Sequence, residues 1–120
     1  MNVKLLRKVK RWIEEHPESY TYDWLANGCG TRGCIAGHTL LLGRKDLKGK
    51  RTAEIEKILH KEQRGGDGIF TGAARKLLRI SEPAAARLFI NWPAPFSASL
   101  NKAKVAAARI EHFIKTRGRE

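Results

Sequence analysis

The sequence predicts an all-α protein: a compact single domain, residues 1–120, of about six short helices. Apolar residues recur three and four positions apart over several segments, which is the spacing of residues on one helix face. Serine and threonine, which favour the helix N-cap, precede several of these segments. No segment has the alternation of apolar and polar residues that is typical of a strand. With 120 residues, 42% of them hydrophobic, the chain can bury a core without disulfides.

The first predicted helix covers residues 3–15 and has an apolar and a basic face. Five residues at helical spacing form the predicted buried face: Leu5, Leu6, Val9, Trp12 and Ile13. The opposite face carries four basic residues at positions i, i+3, i+4 and i+7, here called the basic stripe: Lys4, Arg7, Lys8 and Arg11. Pro17 is expected to end the helix, because a proline restricts the backbone of the residue before it.

The segment 29–43 is predicted to form the centre of the fold. It contains both cysteines and ends in an apolar run. Thr31 is expected to cap a helix over residues 31–42, since a threonine side chain can accept a hydrogen bond from a free N–H group of the first turn. Ala36 and Gly37 are small, so another helix can approach the backbone closely there. We therefore expect the other helices to pack around this one.

The remaining helices, in the second half of the chain, are predicted from caps and apolar stripes. Thr52, Thr71 and Ser81 each precede a short apolar pattern and are expected to begin a helix. Residues 91–96 form a predicted extended corner, and the last helix covers about residues 99–117. Its apolar stripe has five members: Leu100, Ala103, Ala107, Ile110 and Ile114. Four basic residues flank this stripe, with aliphatic stems expected to cover the edge of the core: Lys102, Lys104, Arg109 and Lys115.

The net charge of +12 is the strongest compositional feature, and it arises from 24 basic and 12 acidic side chains. The charge is spread evenly. Residues 1–51 hold 11 basic and 5 acidic side chains, and residues 52–120 hold 13 and 7, which gives +6 in each half. An evenly basic folded domain indicates a polyanionic partner, above all nucleic acid, although net charge also serves solubility.

Hydropathy and the N-terminal residues indicate a soluble, cytoplasmic protein without a membrane partner. No apolar run approaches the ~20 residues that a membrane span needs. The N-terminus carries charges every few positions and has no small-residue cleavage site, so no secretion signal is predicted. The two cysteines are too few for a disulfide scaffold.

Three groups of basic residues are candidate contacts for a polyanion. Residues three and four apart on a helix are neighbours, so the basic stripe forms one band able to follow a phosphate backbone. The segment 44–51, here called the basic loop, adds five cations: Arg44, Lys45, Lys48, Lys50 and Arg51. Arg32 lies in a glycine-rich turn, residues 29–33, whose backbone N–H groups could hold an anion. The alternatives are solvated faces for the two basic runs and, for the turn, glycines that only permit close packing.

Cys29, Cys34 and His38 are candidates for three kinds of chemistry. They could supply three zinc ligands, but a closed site needs a fourth, and the spacing lacks the Cys-x2-Cys knuckle of structural zinc sites. In the first turn of the predicted helix, Cys34 would have a lowered pKa and could react with His38 as a base. A redox disulfide between Cys29 and Cys34 is the third option. We favour a fourth interpretation, in which both cysteines are small buried packing residues.

Residues 74–89 superficially resemble a helix-turn-helix, the motif that places its second helix in the major groove of DNA. The nearest alignment puts Arg75 where the motif packs a small residue and Arg79 where it has a turn glycine. The second helix would also begin Glu-Pro-Ala-Ala-Ala, which has few groups able to contact base edges. We therefore interpret this segment as a helical hairpin.

Several motifs distributed along nearly the whole chain form a combined pattern: His16-Pro-Glu18, Tyr22-Asp-Trp24, Cys29-Gly-Thr-Arg-Gly-Cys-Ile-Ala-Gly37, Ala74-Arg-Lys-Leu-Leu-Arg-Ile-Ser81, Ala86-Arg-Leu-Phe89, Trp92-Pro93 and Arg109-Ile-Glu-His-Phe-Ile114. Together they resemble a family of small, uncharacterised bacterial and phage proteins, and Cys-Gly-Thr-x-x-Cys-x-x-Gly is the most specific part. The resemblance implies a compact helical domain built on that core and brings no established activity. The chain departs from the pattern at His38, where an aromatic residue such as tryptophan is expected, and at Arg79, where a turn glycine is usual. The first departure weakens a metal or catalytic role for His38.

These features together predict a non-enzymatic module that binds a polyanion, nucleic acid in the first place, through contacts with the phosphate backbone. A second hypothesis is a protein-binding inhibitor or adaptor, of phage origin, with an acidic protein target. A third is an enzyme or redox protein that depends on Cys34. No cofactor, metal or catalytic residue is assigned.

Overall fold

The computed structural model describes most of the chain, namely residues 1–20, 34–47, 49–50, 52–62, 69–99 and 102–119. These residues form six α-helices: α1 (Val3–Glu15), α2 (Ile35–Gly43), α3 (Thr52–Glu62), α4 (Ile69–Leu78), α5 (Glu82–Phe89) and α6 (Ala103–Thr116). Short 3-10 helices lie between some of them: Pro17–Ser19, Lys45–Leu47 and Phe96–Ser99. No strand occurs within these ranges, so the prediction of an all-α fold of about six helices is confirmed.

Helix α1 has the predicted limits, and both of its ends follow from the local sequence. The Oδ1 atom of Asn2 accepts the Leu5 N–H at 3.1 Å and so caps the first turn. The helix ends at Glu15, two residues before Pro17. Four members of the predicted apolar face are buried: Leu5, Leu6, Val9 and Ile13.

Trp12 departs from the predicted apolar face, because 38% of its surface is exposed. At about 100° per residue, it lies at one edge of the apolar arc, next to Lys8 of the basic stripe. Its ring stacks on that of His16, with centroids 3.9 Å apart. The assignment of Trp12 to the core is therefore wrong, and a partly exposed aromatic ring, with His16 on one face, lies at the edge of the basic stripe instead.

Helix α2 is buried, as predicted, but it packs against three of the other five helices and not against all of them. Its residues from Ile35 to Leu40 are all buried, and the helix packs against α1, α4 and α5. This environment explains why its sequence has no charged face. The predicted helix start is wrong: Cys34 has an extended backbone (φ −79°, ψ −172°), and α2 begins at Ile35. Thr31, the predicted cap, lies outside the described residues.

Helices α1 and α6 form the most extensive helix pair and are antiparallel. Met1, before α1, lies beside Arg117, after α6. At the other end of the pair, Pro17 lies beside Ala103. The N-terminal end of α1 and the C-terminal end of α6 are therefore at the same end of the molecule.

Arg109 is fully buried in α6, although the sequence placed it at the edge of the core. Its Nη2 donates to the carbonyl oxygen of Arg87 at 3.0 Å. Its guanidinium lies 5.6 Å from the ring centroid of Phe96 and 5.8 Å from that of Phe113. Because Arg109 is three residues after Ala106 and four before Phe113, helical spacing puts it on the buried face. The prediction that Arg109 lies at the edge of the core is therefore wrong, because the stripe used for it did not include Ala106 and Phe113.

The other helices begin at or near their predicted positions. Helix α3 begins where predicted, and α4 begins at Ile69, two residues before the predicted cap. Ser81 caps α5 as predicted, since its Oγ accepts the Ala84 N–H at 3.3 Å. Helix α6 begins only at Ala103, after the 3-10 helix that ends at Ser99. Among the helices described, none is long and apolar enough to cross a membrane.

Candidate nucleic-acid interface

The side chains of the basic stripe lie on the solvent side of α1, and all of them are exposed. Lys4, Lys8 and Arg11 make no ion pair with any described residue. Arg7 has one, in which its Nη1 lies 3.8 Å from Oε2 of Glu111. An exposed pair at that distance contributes little to stability, so Arg7 can exchange it for another anion. The stripe is therefore a continuous band of accessible cations.

Trp12 and His16 extend this band toward the C-terminal end of α1. Nδ1 of His16 lies 3.2 Å from the carbonyl oxygen of Trp12, and this contact holds the imidazole against the indole. Trp12 is four residues after Lys8, so the two side chains are neighbours on the helix surface. The cation of Lys8 could bind the phosphate of a nucleotide while the indole contacts its base. The sequence contained the signal for this site in the position of Trp12 at the edge of the apolar arc.

Arg44 of the basic loop is bound by two carboxylates of the protein. Its Nη2 donates to Oδ2 of Asp46 at 2.6 Å, and its Nη1 donates to Oε1 of Glu62 at 2.5 Å. These hydrogen bonds lower the pKa of Asp46 and the pKa of Glu62 and raise the pKa of Arg44. Arg44 therefore connects the 3-10 helix Lys45–Leu47 to the end of α3. Its occupied donors argue against the predicted contact with a polyanion.

Only two other residues of the basic loop lie within the described ranges. Lys45 is exposed and Lys50 is half-buried. Lys48 and Arg51 lie outside the described residues, as does Arg32 of the glycine-rich turn. Their roles stay predictions, and the basic stripe is the best-defined candidate surface.

Cys34 and His38 lie one helical turn apart at the buried start of α2. Burial raises the pKa of the Cys34 thiol to about 11 and lowers the pKa of His38 to about 4, because it disfavours the thiolate and the imidazolium. Nε2 of His38 lies 3.1 Å from the carbonyl oxygen of Ser19. A carbonyl oxygen can only accept a hydrogen bond, so Nε2 is the donor and carries the hydrogen. The predicted lowering of the Cys34 pKa is therefore wrong, since desolvation outweighs the effect of the helix end.

The metal and redox hypotheses for this region depend on Cys29. Within the described ranges, no three metal-ligating side chains lie together. Cys29, the third candidate ligand and the partner in the predicted redox disulfide, lies outside those ranges. Both hypotheses stay untested predictions.

Comparison with known proteins finds no relative of this chain. No protein-family model, curated protein or solved structure shows a significant match to it. The resemblance of the sequence motifs to a family of small bacterial and phage proteins therefore stays a prediction.

Proposed function

We propose that this protein is a non-enzymatic module that binds nucleic acid through the phosphate backbone, with the basic stripe as its main contact. The observation that carries the proposal is that Lys4, Lys8 and Arg11 are exposed and form no ion pair with a described residue. Such cations bind phosphates without first breaking an ion pair, and binding releases counterions from the nucleic acid.

The dimensions of the stripe fit this role. Arg11 is seven positions after Lys4, which is about 10 Å along a helix axis. The stripe is therefore long enough to contact more than one phosphate of a strand. The net charge of +12 adds long-range attraction for a polyanion.

The partly exposed ring of Trp12 favours single-stranded over double-stranded nucleic acid. In a duplex the base faces are covered by their neighbours, whereas an unpaired base can stack on an aromatic side chain. Such stacking contributes about 1–3 kcal/mol per base. We therefore expect Trp12→Ala to weaken binding of a single strand and to change duplex binding little.

The surroundings of Cys34 argue against the hypothesis of a cysteine-dependent enzyme. A thiol with a pKa of about 11 is almost entirely protonated at neutral pH, and the thiolate is the nucleophile. An acidic protein partner is the remaining alternative, because the same cations would also attract carboxylates.

Fluorescence anisotropy with a labelled single-stranded oligonucleotide, at about 50 to 200 mM salt, tests the proposal. We expect measurable affinity that decreases steeply with salt and depends little on base sequence. The triple variant Lys4→Gln/Lys8→Gln/Arg11→Gln should bind more weakly. Its control is Lys57→Gln/Lys61→Gln/Lys115→Gln, which removes the same charge from exposed positions on α3 and α6.

Weak affinity that does not change with salt would show that the proposal is wrong. Binding to an acidic polypeptide such as polyglutamate, without binding to the oligonucleotide, would favour the protein-binding alternative.

A further inference from the structure

An open cleft of about 400 Å³ lies where the ends of α1, α4, α5 and α6 meet. Asn2 connects α1 to α4, because its N–H donates to the Leu78 carbonyl at 2.7 Å and its Nδ2 donates to the Leu77 carbonyl at 3.2 Å. Arg87 connects α5 to the end of α6, since its Nη2 donates to the Gly118 carbonyl at 2.5 Å. Four arginines line this space, here called the arginine cleft: Arg79, Arg87, Arg117 and Arg119.

The arginine cleft has no carboxylate in its described lining. None of its arginines forms an ion pair within the described part of the chain. Arg87 is positioned by Gly118, yet its buried Nε has no hydrogen-bond partner there. Like charges around one concave space repel each other. An anion in the cleft would therefore relieve a repulsion that the described fold leaves uncompensated.

Two of these arginines have backbone conformations that favour glycine. Arg79 and Arg117 have φ values of 57° and 54°, and no other non-glycine residue among those described has a positive φ. Each directly follows a helix, and the N–H of the next residue closes that helix, at 3.4 Å after α4 and 3.0 Å after α6. Glycine is usual at this position, because a Cβ atom is crowded in the left-handed region.

Attraction to the helix C-termini does not explain the two arginines. Cations are favourable there, but α4 already has Arg75 and Lys76 in its last turn, and α6 has Lys115. Glycine at positions 79 and 117 would remove the backbone strain and leave those cations in place. Strained residues of this kind cluster at functional sites, and both of these face the same cleft.

We propose that the arginine cleft binds a phosphate monoester group. Such a group carries a charge of about −1.5 to −2 at pH 7 and three acceptor oxygens, which the planar donor forks of several arginines can share. A phosphodiester within a strand carries only one charge, so a concave site with four arginines suits a terminal phosphate better. A volume of about 400 Å³ also leaves room for the molecule that bears the phosphate.

The phosphate belongs either to the end of a nucleic-acid strand or to a small phosphorylated molecule. Met1 lines the cleft, and Lys4 of the basic stripe is three residues further, so their Cα atoms are at most about 11 Å apart. A strand that ends in the cleft could therefore continue along α1. The phosphate site itself does not depend on the basic stripe, and either proposal can fail alone.

The double variant Arg79→Gly/Arg117→Gly tests the cleft without endangering the fold, because glycine adopts both backbone conformations freely. The control Lys76→Gln/Lys115→Gln removes the same charge from exposed positions on α4 and α6. Arg119→Gln, also at an exposed position, provides an independent variant of the same site. Isothermal titration calorimetry measures binding of inorganic phosphate and adenosine 5′-monophosphate, with adenosine as the comparison that lacks a phosphate.

We expect both phosphates to bind saturably and adenosine not to bind. Affinity should be weaker by about tenfold or more in the glycine variant, since charge-assisted hydrogen bonds are lost. The lysine control should stay within about twofold of the wild type, because neither lysine lines the cleft and so neither donates a hydrogen bond to the phosphate. The melting temperature of the glycine variant should equal or exceed that of the wild type.

Three results would overturn the proposal: no saturable phosphate binding by the wild type, unchanged affinity in the glycine variant, or an equal loss in the lysine control.

A second experiment identifies the molecule that carries the phosphate. It compares oligonucleotides of one sequence that end in a 5′-phosphate or in a 5′-hydroxyl. Tighter binding of the phosphorylated strand, lost in the glycine variant, indicates a strand end. Equal binding of both strands, with binding of adenosine 5′-monophosphate, indicates a small molecule. Phosphate binding should persist in Lys4→Gln/Lys8→Gln/Arg11→Gln.

Discussion

Basic residues occupy two contrasting environments in this protein. Arg44, Arg109 and His38 have partners within the chain, which are carboxylates for the first, a carbonyl and aromatic rings for the second, and a carbonyl for the third. The basic stripe and the arginine cleft consist mainly of side chains that form no ion pair with a described residue, although Arg87 of the cleft donates to the Gly118 carbonyl. A basic side chain whose donors are taken by an internal partner has fewer donors left for a ligand. The contrast therefore separates basic side chains that stabilise the fold from basic side chains that are available to a ligand.

Among the stabilising side chains, Arg109 is expected to contribute most to the free energy of unfolding. Arg109→Ala is expected to lower the free energy of unfolding by about 3 kcal/mol, because it removes a fully buried side chain together with its carbonyl and ring contacts. Urea denaturation measures the change. Lys104→Ala, at an exposed position on the same helix, should change it by less than about 0.5 kcal/mol. Equal losses in the two variants would remove Arg109 from the stabilising group.

His38 makes the stability depend on pH. Its pKa in the folded protein is about 4, below the ordinary value of 6.5, so between these values the unfolded state binds more protons. Stability is therefore complete above pH 6.5 and falls as the pH decreases toward 4. The loss at pH 5 relative to pH 7 should be about 2 kcal/mol.

Urea midpoints at the two pH values measure this loss, and His38→Gln, which cannot be protonated, should remove most of it. Asp46 and Glu62 have lowered pKa values, so their contribution is lost only at more acidic pH. Identical midpoints of the wild type at pH 7 and pH 5 would contradict the account of His38.

Arg44 should contribute a smaller amount, since its ion pairs lie at the surface. Arg44→Gln is expected to lower the free energy of unfolding by about 1 kcal/mol. High salt should reduce the difference from the wild type, because the pairs are screened. Lys45→Gln, at the adjacent exposed position, should have almost no effect. If Arg44→Gln were as stable as Lys45→Gln, the ion pairs with Asp46 and Glu62 would not stabilise the fold.

The basic stripe should contribute least to stability. Lys4→Gln/Lys8→Gln/Arg11→Gln is expected to change the free energy of unfolding by less than about 0.5 kcal/mol, since none of the three has an internal counter-charge among the described residues. The same urea series measures it. A loss comparable to that of Arg44→Gln would place the stripe among the stabilising cations.

The predictions from sequence succeed where one local interaction decides the structure. Pro17 limits α1, and the Ser81 hydroxyl caps α5, as expected from their preferred positions. The predictions fail where the burial of a residue outweighs the preference of its residue type. Burial raises the pKa of Cys34, which the helix end was expected to lower, and Arg109 lies in the core despite its charge.

The functional surfaces divide in the same way. The basic stripe follows from helical spacing alone, so its exposure on α1 could be predicted. The ion pairing of Arg44 could not be predicted, because one of its two partners, Glu62, is eighteen residues further along the chain. The arginine cleft is hidden in the sequence for the same reason. Its residues come from separate segments, and only the arrangement of the helix ends brings them together.

The salt dependence of oligonucleotide binding tests most directly whether the unpaired cations are the binding surface. Plotted as log affinity against log salt, the slope should be shallower by about 2 for Lys4→Gln/Lys8→Gln/Arg11→Gln than for the wild type, because each phosphate contact on a single strand contributes about 0.7. The control Lys57→Gln/Lys61→Gln/Lys115→Gln should keep the slope of the wild type. Equal slopes for the stripe variant and the wild type would contradict the account.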